Sequence, residues 1–80
     1  MYFYTFKGVI QTNHQYKVEA LRAACVAMEA LKTKLNIQWV CSDTSDDATT
    51  LRKWNMLHGE EAGYFEVSTM DALRSGQVSV

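Results

Sequence analysis

The sequence contains no proline. Ordinary usage of about 5% would put roughly four in a chain of this length. Pro-rich linkers and PxxP ligands are therefore excluded. No internal repeat or low-complexity tract divides the chain, so residues 1–80 read as one compact domain. Glycine is scarce, at four residues, and forms no Gly-rich phosphate loop. Cysteine is limited to Cys25 and Cys41. Two cysteines outside any CxxC pair cannot make a disulfide scaffold, and both are expected to be reduced packing residues.

Long apolar runs are also missing. The longest unbroken one is the six residues 23–28, against about 20 for a membrane span. The N-terminus is aromatic and is interrupted by Lys7, so no secretory signal is expected. These absences predict a soluble, cytoplasmic protein with no membrane partner. Charge of one sign is absent as well. Eight Lys and Arg against nine Asp and Glu give 8 − 9 = −1, so bulk attraction to nucleic acid or anionic lipid is not implied.

Apolar residues make up 48% of the chain and charged ones 21%, too hydrophobic a mixture for disorder. Residues 2–11 are aromatic and β-branched and read as a strand. Tyr2, Tyr4, Phe6 and Ile10 mark its better core face. Phe3 and Val9 make the other face partly apolar, so that face too is expected to be covered. Gly8 suggests a bulge. A turn at Thr12, Asn13 and His14 follows, with Asn13 as a plausible N-cap.

The clearest element is a helix over about 15–35. Val18, Leu21, Cys25, Met28, Leu31 and Leu35 form a stripe at helical spacing. Five alanines raise its propensity. Glu19 with Arg22, and Glu29 with Lys32, are spaced i,i+3. Asn36 ends the helix, and residues 37–41 read as a second strand. A right-handed parallel crossover is the default for such a unit.

Further on, Ser45 is expected to cap a helix over 46–57 whose inner face is Ala48, Leu51 and Trp54. Gly59 is its stop. Residues 60–63 read as a loop and 64–68 as a strand with Phe65 and Val67 inward. A short helix is expected at 70–75, and an edge strand at 77–80. The fold class is a small single-domain α/β (α+β) protein. It has a sheet of three or four strands, one long N-terminal crossover helix and one or two shorter helices. A ferredoxin-like βαββαβ variant is the alternative.

Chemistry-bearing patterns are sparse. The turn Cys41, Ser42, Asp43 joins a strand end to a helix start, a place where ligands bind in open α/β sheets. The plainer reading is a well-capped helix. If the first two strands were parallel, Cys41, His14 and Asp43 would be neighbours, as a cysteine nucleophile requires. No signature motif supports catalysis. The acids of this turn lack EF-hand spacing, and His58 with Glu60 and Glu61 lacks a zinc pattern. No metal and no cofactor are expected.

Charge is uneven: residues 1–40 carry 5 − 2 = +3, and residues 41–80 carry 3 − 7 = −4. Nine aromatics are generous for so small a sheet, and Tyr and Trp are enriched at protein interfaces. The sequence therefore favours a non-enzymatic protein–protein interaction module. Such a module would be an inhibitor or adaptor, of a kind common in phages and mobile elements, that occupies a surface on a larger protein. Tyr2, Tyr4, Lys7, Arg52, Lys53, Glu60 and Glu61 are its candidate contact residues. Homodimerisation would extend a thin core. Two alternatives rank below it. One is nucleic-acid binding by the basic first half, through Lys7, Lys17, Arg22 and Lys34 with Tyr2 and Tyr4 as stacking platforms. The other is a small enzyme or ligand-binding domain at the turn Cys41, Ser42, Asp43.

Overall fold

A computed structural model describes residues 1–41 and 45–69. The expected helix at 70–75 and strand at 77–80 lie outside the described residues, as do Ser42 and Asp43 of the candidate turn. The chain forms a small α+β domain. A β-hairpin of β1 (Tyr2–Phe6) and β2 (Val9–His14) is followed by the long helix α1 (Lys17–Lys34). The shorter helix α2 (Asp47–Trp54) runs on through a π-helical turn, Asn55–Gly59, into the single turn α3 (Glu60–Ala62). The strand β3 (Phe65–Thr69) returns beside β1, giving a sheet in the order β2-β1-β3 with every pairing antiparallel.

Residues 2–11 thus form the two arms and turn of a hairpin, not one strand. Lys7 (φ 54°) and Gly8 (φ 79°) both take positive φ, the signature of a two-residue type I′ turn whose twist matches its strands. A bulge in the β1–β2 register lies between Tyr4 and Thr5, opposite the step from Thr12 to Ile10. The turn and the bulge together move Ile10 to the face opposite Tyr2 and Tyr4. They also place Asn13 inside a strand rather than at a helix cap.

That hairpin displaces the expected parallel unit. Residues 37–41 carry no strand pairing, so there is no parallel crossover. The reason is local. Asn36 takes φ 57°. The Asn36 N–H donates to the Thr33 carbonyl, and the Ile37 N–H donates to the Lys32 carbonyl at 3.0 Å. This Schellman ending turns the chain back along the end of α1. The segment is then pinned by the Lys32 ammonium, which donates to the Trp39 carbonyl at 2.8 Å. The ferredoxin-like alternative differs from the start, because two strands precede α1.

The face of α1 that packs is centred on alanine. Ala20, Ala24, Cys25 and Met28 are buried, whereas Val18 and Leu35, expected in the stripe, are exposed. Eighteen helical residues span about 27 Å, and five-residue strands only about 17 Å. The helix is longer than the strands it packs on, and its buried alanines allow close approach. Tyr16 sits at the N-cap, where its N–H donates to Glu19. Arg22 pairs not with Glu19 but with Asp47 of α2, at 3.3 Å. The Glu29–Lys32 pair forms as its spacing suggests, at 2.9 Å.

Asp46, one residue past the expected Ser45, caps α2 by accepting from the Thr49 N–H at 2.7 Å. That bond holds the Asp46 carboxyl below its ordinary pKa. Gly59 does not stop the helix; the chain passes through it and ends at Gly63, where φ is 116°. Gly59 instead lies under the Tyr64 ring, which a Cβ there would meet unless that ring moved aside.

The core lies between the helices and one sheet face. Trp54, Phe65, Met28, Leu51 and Val67 are fully buried there, joined by Tyr4. Each such side chain contributes roughly 1.5–3 kcal/mol relative to exposure. Phe3 and its register partner Ser68 are buried on the opposite face, whereas Val9, moved by the hairpin turn, is exposed.

Candidate functional site

Two surfaces merit comparison: the hairpin, and a pocket between α1 and α2. The hairpin begins with backbone chemistry. Its turn is anchored by the Lys7 N–H, which donates to the Tyr64 carbonyl at 3.2 Å. This places Tyr64 beside the hairpin tip. There Lys7 extends over the Phe6 ring, 5.4 Å from its centroid. Val9 is 61% exposed, Ile10 44% and Tyr64 46%. Every residue from 9 to 13 is exposed, and none carries charge. An uncharged strand at a sheet edge, here with Val9 and Ile10 apolar, is a template for another chain.

The opposite edge is treated differently. On β3 the Asn55 side chain accepts from the Phe65 N–H at 2.9 Å and donates to the Phe65 carbonyl at 2.8 Å. One amide thus satisfies both backbone groups of an edge residue. β2 has no such partner from a neighbouring element among the described residues; its own side chains bond Gln11 to the Val9 carbonyl and Thr12 with His14.

The pocket is a cavity of about 420 Å³, lined by Arg22, Cys25, Glu29, Cys41, Asp47 and Thr50 among others. Its size suits a small ligand, but its buried thiol, Cys25, is ill-suited to catalysis. Burial, with the Asp47 carboxylate next in weight, pushes the Cys25 thiol up to about 12. Its Sγ donates to the Asp47 carbonyl at 3.6 Å. Cys41 receives a bond from the Thr50 hydroxyl at 3.7 Å. His14 lines a neighbouring cavity that shares Arg22 and Asp47 with this one. Among the described residues, the strands pair antiparallel and residues 37–41 join no sheet, so the parallel pair that was to bring Cys41 and His14 together is not formed. No group of three or more His, Cys, Asp or Glu able to hold a metal occurs among the described residues.

The thiols give a test. Cys25 is buried and stays protonated well above the ordinary thiol range. Cys41, half-exposed, should be alkylated by iodoacetamide first, with Cys25 reacting only as the protein opens. Because the folded thiol holds its proton more tightly than the unfolded one, stability should fall as pH rises from about 9 towards 12, at up to about 1.4 kcal/mol per pH unit. A Cys25→Ala variant should lose that slope. Equal alkylation of both thiols in the native protein would contradict the burial of Cys25.

The remaining candidate residues separate by environment. Tyr4 is a core residue and Tyr2 packs partly against the core. Burial of Tyr4 removes one of the two stacking platforms considered for nucleic acid, and Arg22 is paired with Asp47. Lys7, Arg52, Lys53, Glu60 and Glu61 are exposed. Glu61 also lines a cavity of about 290 Å³ with His58, Leu35, Ile37 and Ala62. His58 stacks near Trp54 and Trp39, with ring centroids 4.9 and 5.7 Å away, and its buried Nε2 has no hydrogen-bond partner. Val9 and Ile10 were not singled out from the sequence as exposed apolar residues. The dipeptide Lys7-Gly8 between two alternating runs was the signal that would have exposed them.

No helix among the described residues is long and apolar enough to cross a membrane. Comparison with known proteins finds no matching family model, no matching curated protein and no matching solved structure.

Proposed function

We propose that this chain is a non-enzymatic protein–protein interaction module, an inhibitor or adaptor that occupies a surface on a larger protein. The observation that supports this reading is the exposed apolar group at the hairpin tip, Val9 with Tyr64, next to Lys7. Exposed aromatic and apolar side chains are the composition of an interface centre, and charge such as that of Lys7 suits its rim. The pocket between α1 and α2 supports an enzyme less well, because its buried thiol is held protonated.

The test is capture from a lysate of the protein's own source cells, with and without nuclease, using wild type and a Val9→Asp/Tyr64→Ser variant. A single protein retained near stoichiometrically after nuclease, and lost from the variant, is the expected result. Retention that vanishes with nuclease would transfer the reading to nucleic acid. Equal retention by wild type and a folded variant would overturn the assignment of the surface.

A further inference from the structure

We infer that β2 is a self-association site, at which a second copy of this chain adds its own β2 antiparallel and joins two sheets into one. This extends the interaction reading to a second partner on the same hairpin. The inference rests on the unequal treatment of the two sheet edges. Proteins guard edges with charge, proline, bulges or a covering side chain. β3 has Asn55 on both backbone groups of Phe65. β2 has neither charge nor proline from 9 to 13 and only the bulge opposite the step from Tyr4 to Thr5.

The occupant follows from charge and symmetry. An uncharged strand meets its own copy without like-charge repulsion, and an isologous two-fold contact needs only one self-complementary patch. Pairing centred between Gln11 and Thr12 sets Ile10 opposite Asn13 of the other copy, and Val9 opposite His14. The exposed apolar area of Val9 and Ile10 is then covered, and the edge amides gain partners. One strand pair buries less than the roughly 1,200 Å² of a standard stable interface, so the dimer is weak and concentration-dependent.

Sedimentation equilibrium from about 10 μM to about 1 mM tests it, a span over which a weak dimer changes population. The weight-average mass of the wild type should rise from 9.1 kDa towards twice that value. An Ile10→Lys/Asn13→Lys variant and an Ile10→Glu/Asn13→Glu variant should each stay monomeric, and mixing the two should restore the dimer through opposite charges. The mixture keeps the test decisive even if one variant folds poorly alone. A wild type that stays at 9.1 kDa throughout, or a Lys variant that dimerises as well as wild type, overturns self-pairing. Either result leaves the lysate capture, read at Val9 and Tyr64, to stand or fall independently.

Discussion

Trp54→Ala should leave the chain largely unfolded at 25 °C. Trp54 is fully buried. Its ring lies against Trp39 at 6.1 Å, His58 at 4.9 Å and Phe65 at 6.3 Å between centroids. Its indole N–H donates to the Gly63 carbonyl at 3.0 Å. Truncation to alanine removes the apolar contacts, opens a cavity and leaves that buried carbonyl without its donor. Trp→Ala in a core costs about 3–5 kcal/mol. A domain of this size commands only about 4–12 kcal/mol in total. Urea unfolding followed by circular dichroism measures it. Trp54→Phe should lose only about 1–2 kcal/mol, the hydrogen bond and part of the ring. A Trp54→Ala protein with unchanged midpoint would mean that the helix layer does not pack on the sheet as described.

Gly63→Ala is expected to be the second most damaging change. At φ 116° an L side chain is strained. The new Cβ would also lie 2.5 Å from Cε1 of Phe6. Phe6 stacks on Phe65 at 4.7 Å, so its ring cannot retreat without disturbing the core. Strain and overlap together should cost about 2–4 kcal/mol. Gly59→Ala makes the informative contrast. Gly59 has helical φ, and the ring its Cβ would meet belongs to the exposed Tyr64, which can swing outward. That variant should lose under about 1 kcal/mol, since alanine also favours the helix. Thermal melts of the two variants, side by side, decide the matter. Equal losses would show that space rather than backbone conformation limits both sites.

These two glycines show what was legible in the sequence. Periodicity gave α1, the inner residues Leu51 and Trp54 of α2, and the inward Phe65 and Val67 of β3, because each repeats an apolar side chain at its element's own period. Stop signals were less readable. Gly59 and Gly63 lie four residues apart, and only the tertiary demand for φ 116° at one and a ring contact at the other separates their roles. The hairpin was missed because Lys7, a long charged residue, occupies a positive-φ position that asparagine or glycine more often fills. That turn moved Val9 and Ile10 to the faces opposite those expected, until the bulge restored the parity at Thr12, and it made the parallel crossover untenable. The apolar run at 37–41 has strand composition, yet the Asn36 turn and the Lys32–Trp39 bond hold it outside the sheet.

The same turn governs the site. Read as one long strand, residues 2–11 offer Tyr2 and Tyr4 to a partner. Folded as a hairpin, they bury Tyr4 and expose Val9 and Ile10 instead. Charge at Lys7 was legible because it depends on residue type alone. That Tyr64 lies beside it was not, since the Lys7–Tyr64 backbone bond spans most of the chain.

The central claim, that the hairpin is the working surface, is tested most directly by amide chemical-shift mapping of the labelled protein against its captured partner. Shifts concentrated in residues 7–13 and at Tyr64, with Cys25 and Thr50 unmoved, are the predicted result. Shifts centred on Cys25, Cys41, Asp47 and Thr50 with a silent hairpin would contradict it and would move the function to the pocket between α1 and α2.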